Sequence, residues 1–411
     1  MTAAGLDLAA LAPAPGGAVD EAAAADALEA IVPAAELAAT PQDASFHSEG
    51  DVWLHTRMAL AALAADPAYA ALAPAARAIV FAAVLLHDVG KPGTTRVEPD
   101  GRISSRGHSA LGESLTRVAL WRAGVPFALR EHVCSLVRAH QVPFFAIERA
   151  AADAARLVAR QSLATCNRWL AMVAAADGRG RRTADPADQR RIVDNCALYA
   201  ELAAEHGALD APRAFPDDHT RVVWLADDRG TRSADVPAHD DTVAEAVLLS
   251  GLPGAGKSTW LAARPDLAVV SLDELRDELG VDPGDHQAGV IAAARERARE
   301  HLRAGRPFAW SATNLSRLLR AGLVELCRAY RFRTHIVYCE VGAGEQRRRN
   351  RDRPAAAVVP AAAIERMLRR WQVPTPDEAH RVTYLVDAPT ASPSPAWPAW
   401  PPWPPPPPTT T

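Results

Sequence analysis

The chain has 411 residues, of which 49% are hydrophobic and 23% charged, so it is long enough for two or three domains with separate cores. Its formal net charge of -4 at pH 7 excludes a generally basic nucleic-acid coat, and any polyanion must be held by local arginines. No apolar run reaches the roughly 20 residues that cross a bilayer. The five cysteines include no C-x-x-C pair, which argues against a disulfide framework and a structural zinc site. We therefore expect a cytoplasmic protein without a membrane segment.

The first half of the chain has a helical pattern. Residues 1–44 are rich in alanine and proline, and their pattern assigns them no role. Between residues 45 and 207, apolar side chains recur at spacings of three and four, with no strand-like alternation. The predicted helices are 52–63, 75–86, 111–121, 129–137, 162–175 and 192–202. We expect an all-α domain here.

The pattern changes after a connector at 208–243, which contains one strand candidate at 221–225. Between residues 244 and 388, short apolar runs alternate with helical stretches, which predicts an α/β domain whose parallel strands are joined by crossover helices. The predicted strands are 246–249, 267–270, 308–310, 335–341 and 382–386. The predicted helices are 257–263, 273–279, 290–303, 316–330, 344–351 and 361–371. Residues 389–411 form a Pro/Trp-rich tail that we expect to be disordered.

A glycine-rich run, G-L-P-G-A-G-K-S at 251–258, follows the first predicted strand and precedes a helix, which is typical of a phosphate-binding P-loop. Glycines allow backbone N–H groups to turn towards phosphates, and the start of the helix adds a favourable dipole. Lys257 is expected to reach the β- and γ-phosphates of ATP, and the Ser258 hydroxyl to bind Mg²⁺. The predicted nucleotide-binding residues of this run are Gly251, Gly254, Gly256, Lys257, Ser258 and Thr259.

Two further motifs of this half fit phosphoryl transfer. Asp273 follows the second strand at the edge of the sheet beside the nucleotide, where its carboxylate can accept the proton of an attacking hydroxyl. Arg276 lies one helical turn later and can hold an acceptor phosphate. The arginine-rich stretch 345–353 is suited to a lid over the triphosphate, with Arg349 and Arg353 stabilising charge during transfer.

Together these motifs resemble the phage-type 5′-OH polynucleotide kinases. The resemblance covers about 245–380 and consists of the P-loop with its following T-W, D-x-x-R at 273–276, T-N at 313–314 and R-N-x-x-R at 349–353. It implies that Asp273 is the general base, that Arg276 binds the acceptor end, and that Arg349 and Arg353 bind ATP phosphates. The sequence departs from this family at Ala312, where the phage pattern has an aspartate. The arginine that this aspartate orients must therefore be held differently.

In the helical half, histidines and aspartates stand at or near predicted helix ends in an otherwise apolar domain. They are His55, His87, Asp88, His108, His140 and Asp177. Imidazoles and carboxylates that converge from separate helices are how bundles build metal sites. The chain has only two lysines, Lys91 after the His87-Asp88 pair and Lys257 in the P-loop. Because lysine and arginine are not interchangeable, we take both lysines as marks of phosphate-handling sites.

This order resembles the HD phosphohydrolase superfamily, and more narrowly the HD domain of bacterial tRNA nucleotidyltransferases. The segments that carry the resemblance are F-H-x-E-G-D-V-W-x-H at 46–55, H-D-V-G-K-P at 87–92, G-H-S-A-L-G at 107–112, R-A-H-Q-V-P-F at 138–144 and A-D-G-R-G-R at 176–181.

The resemblance implies a site for one or two divalent transition-metal ions. A first ion would be held by His55, His87, Asp88 and Asp177, and a second by Asp88, His108 and His140. Lys91 and Arg179 would then contact phosphate, Lys91 with a catalytic role. His47 and Glu49 would line the entrance.

An HD domain followed by a polynucleotide kinase resembles the bifunctional bacterial end-healing enzymes. Their HD module removes 2′,3′-cyclic or 3′ phosphates, and their kinase phosphorylates 5′-OH ends of RNA or DNA, which prepares both ends for a ligase. Two alternatives remain open from the sequence. In the first, an HD nucleotide hydrolase is fused to a small-molecule kinase. In the second, the P-loop half is an ATP-driven switch that regulates the HD enzyme.

Overall fold

The structure is a computed structural model that describes residues 6–282 and 284–387. The chain forms two compact units, the first ending at Ala214 and the second beginning at Phe215. Among the described residues, no helix is both long and apolar enough to cross a membrane. All five cysteines are buried and unpaired. The Pro/Trp-rich tail predicted at 389–411 lies outside the described residues.

The first unit is helical, as predicted. Its helices are α1 Leu8–Leu11, α2 Glu21–Leu28, α3 Ala34–Ala38, α4 Val52–Ala64, α5 Pro67–Ala70, α6 Pro74–Leu86, α7 His108–Arg122, α8 Phe127–Ala139, α9 Val142–Phe145, α10 Ala151–Ser162, α11 Asn167–Gly180 and α12 Pro186–Glu205. A two-residue hairpin, β1 Arg96–Val97 with β2 Ile103–Ser104, interrupts the helices. The sequence pattern did not predict it, because strands this short carry no alternation.

The core of this unit forms around α6. Residues 78–86 of this helix are all buried, as expected for a helix that is apolar on every face. Helices α1, α4, α8 and α11 pack against it. The alanine-rich start of the chain belongs to the same core, since Leu8, Leu28 and Leu37 are at most 3% exposed. Each buried leucine contributes about 1.5–3 kcal/mol to folding, so this segment helps to stabilise the helical unit.

The helix predicted at 162–175 is wrong in one respect, because two helices meet there. Helix α10 ends at Ser162, and Cys166 is extended before α11 begins at Asn167. The buried Asn167 side chain donates hydrogen bonds to the carbonyls of Val158 (2.9 Å) and Ala208 (2.8 Å), which fixes this break. The apolar spacing continues across the turn, and so the pattern alone did not reveal it. Helix α10 itself was not predicted.

The second unit is an α/β domain with a five-stranded parallel sheet, in the order β4-β5-β3-β6-β7. Its strands are β3 Ala244–Ser250, β4 Ala268–Ser271, β5 Phe308–Ser311, β6 Phe332–Glu340 and β7 Arg381–Val386. Its helices are α13 Asp218–Leu225, α14 Lys257–Ala262, α15 Leu272–Leu279, α16 Ala288–Arg303, α17 Arg317–Ala329, α18 Ala343–Arg351 and α19 Ala361–Leu368, with 3₁₀ turns at Ala355–Ala357 and Pro376–Glu378. The predicted fold class and all five predicted strands of this domain are confirmed.

The strand predicted at 221–225 is wrong, because these residues belong to α13. Asp217 caps this helix by accepting a hydrogen bond from the Thr220 N–H at 2.7 Å. Arg221 then donates to the carbonyl of His380 at 2.6 Å, which holds the helix against the rest of the unit. A short apolar run does not distinguish a strand from a helix, and here the cap decides.

Gly180 controls how closely α11 approaches α4. A Cβ atom at this position would lie 2.5 Å from Ala59 N and 2.6 Å from Ala59 Cα. Gly180→Ala must push the two helices apart, and we expect it to destabilise the helical unit by about 1–3 kcal/mol. Scanning calorimetry of the full chain would measure this as a lower melting temperature for one transition.

The matched control is Gly289→Ala in α16, where nothing lies within 4 Å of the added Cβ. Alanine favours a helix interior by about 0.5–1 kcal/mol over glycine, so this variant should be neutral or slightly stabilised. Equal melting behaviour of both variants would contradict the packing role of Gly180.

Candidate metal centre and phosphate-binding loop

Four histidines from separate helices meet in the helical unit. His55 lies on α4, His87 caps the end of α6, His108 begins α7 and His140 caps the end of α8. All four are buried. They form two pairs: the Nε2 atoms of His55 and His87 are 3.3 Å apart, and so are those of His108 and His140.

Their Nδ1 atoms face oxygen atoms. Those of His87, His108 and His140 are 2.7–2.8 Å from the carbonyls of the residues three positions earlier. His55 Nδ1 lies 2.9 Å from Glu49 Oε1. Because a carbonyl only accepts, the Nδ1 atoms of His87, His108 and His140 carry the proton, and in the neutral ring Nε2 presents a lone pair.

Two lone pairs at 3.3 Å repel unless a positive charge lies between them. Two nitrogens on one tetrahedral zinc-type ion, each bound at about 2.1 Å, are about 3.4 Å apart. The spacing of both pairs therefore fits a shared divalent cation. Burial opposes a charge on His87, yet Asp88 raises its pKa, so this position favours positive charge even without a metal.

The carboxylate of Asp88 connects the two histidine pairs. Its Oδ2 lies 3.2 Å from His87 Nε2, and its Oδ1 lies 3.4 Å from His108 Nε2. Asp177 completes the first group, with Oδ1 3.2 Å from His55 Nε2. Three groups of side chains could hold a metal ion: His55, His87 and Asp177; Asp88, His108 and His140; and a third, His47, Glu49 and His55, which shares His55 with the first. The structure brings together every residue that the HD resemblance assigned to the metals.

The protonation states of Asp88, His108 and His140 suit metal binding. Burial acts against the charge of Asp88, but the charges of His87 and Lys91 outweigh it and hold the pKa of Asp88 well below its usual value. Burial lowers the pKa of His140 to about 3, and the pKa of His108 is also lowered by burial. Carboxylate and neutral imidazole are the forms that bind divalent metals. Asp88 Oδ1 faces His108 Nε2 at 3.4 Å, whereas Asp88 Oδ2 is in contact with the Lys91 ammonium.

Two buried cations stand beside the cluster. Lys91 Nζ lies 2.7 Å from Asp88 Oδ2 and donates to Gln42 Oε1 at 2.6 Å. Arg181 forms a short ion pair with Asp177. Despite burial, the charge of Asp177 raises the pKa of Arg181, which stays charged. Both cations are placed to attract an anion to the metal pocket.

Arg181 and Gln42 were missed by the sequence reasoning. The motif A-D-G-R-G-R offers two arginines, and Arg179 was the one predicted to contact phosphate. In the structure Arg179 is an exposed partner of Asp66 at 2.9 Å and lies outside the cluster. The four-residue spacing of Asp177 and Arg181 on a helix was the available signal. Gln42 had no such signal, since it comes from the loop before α4.

The predicted entrance residues lie against the first metal group. His47 Nδ1 is 2.8 Å from Glu49 Oε1, and the rings of His47 and His55 are 4.7 Å apart in an edge-to-face contact. Glu49 also accepts the Arg182 N–H at 2.8 Å. Glu49 therefore orients His55 from behind, a position typical of the residues that support a metal-binding imidazole.

The glycine-rich run of the second unit forms a loop between β3 and α14. Its glycines Gly251, Gly254 and Gly256 all have positive φ, at 147°, 81° and 107°. A Cβ at Gly251 would meet the Cys339 carbonyl oxygen at 2.3 Å, so the central strands leave room only for glycine. The loop thus has the backbone that a cradle of N–H groups requires.

Lys257 begins α14 and spans the loop. Its ammonium donates to the carbonyls of Gly251 (2.8 Å) and Leu252 (2.9 Å). Burial lowers the pKa of Lys257 to about 8, while the charges of Asp273 and Arg353 act on it in opposite directions. Ser258 and Thr259 follow and are exposed, accessible to a bound nucleotide.

Asp273 and Arg276 share the exposed edge of α15. They form a short ion pair, and the Asp273 side chain is 83% exposed. Arg276 Nε donates to Gln287 Oε1 at 2.7 Å. Asp273 and Gln287 hold Arg276.

Helix α18 brings the predicted lid to the loop. Gln346 donates to the Pro253 carbonyl at 2.9 Å. Arg349 pairs with Glu345 at 2.6 Å, and its Nη1 is 3.8 Å from the position of a Cβ at Gly256. Arg353 follows the helix and is half-buried. Of the two predicted lid arginines, Arg349 therefore lies close to the loop.

The T-N pair has a structural role that the motif did not indicate. Asn314 is buried with a φ of 43°, and its amide donates to the Leu249 carbonyl at 2.7 Å. The Thr313 carbonyl accepts the Gly251 N–H at 2.9 Å. These bonds tie the end of β5 to the start of the phosphate loop.

Comparisons with known proteins agree with this division. The family model for the HD domain matches residues 53–165, and the model for the AAA domain matches residues 247–374. The chain thus contains a helical HD domain followed by a P-loop kinase-like domain.

Two curated proteins match short stretches. The A-adding tRNA nucleotidyltransferase of Deinococcus radiodurans is 48% identical over 61 residues, 15% of this chain and 14% of that protein. The CC-adding tRNA nucleotidyltransferase of Thermus thermophilus is 42% identical over 59 residues, 14% of each chain. The matched stretches therefore span about a seventh of these relatives.

Among solved structures, a Chloroflexus aurantiacus protein assigned as a kinase is 18% identical. The match covers 36% of this chain and 86% of that one, with a TM-score of 0.31.

The position of Asp88 between two groups predicts how metal binding responds to substitution. Loading with Zn²⁺ or Mn²⁺ should give up to two ions per chain, one at each histidine pair. Asp88→Ala removes the carboxylate whose two oxygens face His87 and His108 and should abolish tight binding, whereas His140→Ala should remove one ion. Elemental analysis after desalting measures the stoichiometry. Unchanged stoichiometry in Asp88→Ala would refute the bridging arrangement.

The lowered pKa of Lys257, about 8, predicts a pH dependence for ATP binding. Phosphates favour the ammonium and raise its pKa in the complex. ATP affinity should therefore be constant below pH 8 and fall up to about tenfold per pH unit above it. Lys257→Arg, which stays charged, should bind more weakly but with little pH dependence. Calorimetric titration between pH 7 and 9.5 tests this, and parallel profiles for both proteins would contradict it.

Proposed function

We propose that this chain is a bifunctional enzyme that heals nucleic-acid ends in the cytoplasm. Its HD unit removes 2′,3′-cyclic or 3′ phosphates, and its P-loop unit transfers the γ-phosphate of ATP to a 5′-OH end of RNA or DNA. The resulting 3′-OH and 5′-phosphate ends are the substrates of a nucleic-acid ligase, which is the implied functional partner. The observation that carries this proposal is that one chain holds both a buried cluster of histidines and aspartates and a glycine-rich loop closed by Lys257.

The phosphoesterase assignment is supported by the charges of the HD site. Asp88 and Asp177 pair directly with the buried cations Lys91 and Arg181, and imidazoles lie against the same two carboxylates. A bound divalent pair clamps a phosphate and supplies hydroxide near neutral pH. Lys91 and Arg181 then attract the phosphate and stabilise the charge that develops on it. Glu49, whose Oε1 lies 2.9 Å from His55 Nδ1, keeps the His55 ring in one orientation during the reaction.

The kinase assignment is supported by the groups around Lys257. In the proposed step, the 5′ oxygen attacks the γ-phosphorus, its proton passes to Asp273, and the bond to the departing ADP breaks. Arg276 holds the phosphate next to the acceptor hydroxyl. Lys257, Arg349 and Arg353 balance the negative charge of the triphosphate. The exposure of Asp273 leaves room for a polynucleotide end.

Substitution at each site should separate the activities. Asp88→Ala should lower 3′-phosphate removal by at least about 100-fold while the kinase remains, and Lys257→Ala should do the reverse. The assay uses a short RNA with a 5′-OH and a 2′,3′-cyclic phosphate, and the matching DNA with a 3′ phosphate, with ATP and divalent metals. Gel separation of the four end states reports both reactions.

Two control reactions test the alternatives. Free nucleosides with labelled ATP detect a small-molecule kinase, because a polynucleotide kinase should leave them nearly unlabelled. Asp273→Asn should bind ATP but transfer no phosphate, whereas a switch domain would not need this carboxylate. Retention of both activities in Asp88→Ala and in Lys257→Ala would refute the proposal.

A further inference from the structure

The phenylalanines of the chain differ greatly in exposure. The chain has eight, all within the described ranges, and only Phe46 and Phe145 are exposed, at 52% and 49%. A single exposed apolar residue is ordinary. Here, however, both exposed rings belong to the segments that build the metal pocket.

Phe46 stands on the loop before α4. Its N–H donates to the Asp43 carbonyl at 3.0 Å, which closes a turn. Asp43 in turn accepts the Ile103 N–H at 3.2 Å, so the hairpin fixes this turn. The next residue is His47, whose ring contacts that of the candidate ligand His55. Phe46 is therefore held at the rim of the first metal group.

Phe145 ends the short helix α9, which follows His140. Its ring lies 6.1 Å from that of Phe144 in an edge-to-face contact. Phe144 is buried, and the Arg181 guanidinium lies 4.9 Å from its ring centre. Because Arg181 pairs with Asp177, one continuous row of contacts leads from Phe145 to the candidate metal ligands.

Residues 181 and 182 connect the two phenylalanine segments. The Arg181 guanidinium contacts the Phe144 ring, and the backbone of Arg182 is hydrogen-bonded to the loop that carries Phe46. The Arg182 carbonyl accepts the Ser48 N–H at 2.7 Å, and its N–H donates to Glu49. Phe46 and Phe145 thus lie on the two segments that flank the same short stretch beside the pocket.

Three exposed arginines lie near the candidate ligands and the two phenylalanines along the chain. Arg106 precedes His108 by two residues, Arg149 follows Phe145 by four, and Arg182 lies between the two phenylalanine segments. All three are exposed, and within the described ranges their side chains make no ion pair or hydrogen bond. Exposed aromatic rings interleaved with free cations are the features with which proteins bind single-stranded nucleic acid, since bases stack and phosphates pair.

We propose that Phe46 and Phe145 are stacking platforms for nucleobases at the mouth of the HD pocket, and that Arg106, Arg149 and Arg182 hold the adjoining phosphates. This inference rests on the proposed phosphoesterase function. It specifies the substrate as a single-stranded polynucleotide whose 3′ end enters the metal pocket, rather than a free nucleotide. Because the chain as a whole is negatively charged, this binding depends on a local patch of positive charge around the pocket.

The test compares substrates of increasing length. A nucleoside 3′,5′-bisphosphate and oligonucleotides of two and six residues, each with 5′ and 3′ phosphates, are incubated with the metal-loaded full chain without ATP, and phosphate release is followed. The wild type should show kcat/KM rising with length. Phe46→Ala or Phe145→Ala should lower kcat/KM for the hexamer by about 5- to 150-fold, corresponding to about 1–3 kcal/mol per stacked base. The loss should appear mainly in KM, and the double variant should lose most of its preference for the hexamer.

Three further measurements make the result decisive. Phe→Trp at either position should restore the length preference, because a tryptophan ring also stacks. Leu198→Ala, which removes another exposed apolar side chain (44% exposed) from the helical unit, should keep it. Arg182→Gln should lower the salt dependence of KM by about one phosphate contact. Metal content and circular dichroism confirm that each variant is folded.

The outcomes separate this proposal from the function on which it rests. If both single alanine variants and the double variant kept the length preference of the wild type, the proposed stacking of bases on Phe46 and Phe145 would be wrong. The phosphoesterase assignment would still stand. A wild type that prefers the mononucleotide would also overturn the proposed stacking. If the wild type releases phosphate from none of these substrates, the phosphoesterase function itself fails, and the proposed stacking fails with it.

Discussion

The helical unit depends on the burial of two carboxylates, Asp88 and Asp177, among four imidazoles. Burying such charges is costly unless they are paired or bind a cation. Lys91 and Arg181 offset part of this cost, and the geometry of the histidine pairs fits cations for the remainder. The apolar helix α6 ends at this cluster, and α4, α7, α8 and α11 each supply a ligand to it. The fold and the site are therefore one arrangement.

The second unit depends on a different constraint, which is the path of the backbone after β3. Gly251 turns against the Cys339 carbonyl, where no side chain fits, and Asn314 and Thr313 anchor the start of the loop. Lys257 meanwhile bonds two loop carbonyls, which keeps the ammonium at the place where a phosphate would bind. Here the backbone supplies the anion site, whereas in the helical unit side chains do so.

Residues 8–49 contribute both to the helical core and to the metal pocket. Leu8, Leu28 and Leu37 are buried in the helical core, and the loop that follows brings Gln42, His47 and Glu49 to the metal ligands. The HD family match begins only at residue 53. Residues before it therefore complete the pocket, and they include Phe46 at its rim.

The sequence alone determined the fold class, the five strands of the sheet and the histidines and aspartates that gather in the candidate metal centre. It could do so because periodicity and motif spacing are local, and because a P-loop or an HD pair allows few side-chain types. It did not determine that 221–225 is helical, that α10 and α11 are separate, or that Arg181 rather than Arg179 contacts the cluster. Those outcomes depend on the Asp217 cap of α13, on the buried Asn167 amide, and on which arginine at the end of α11 turns towards Asp177. Such contacts join residues far apart in the chain, and only tertiary packing decides them.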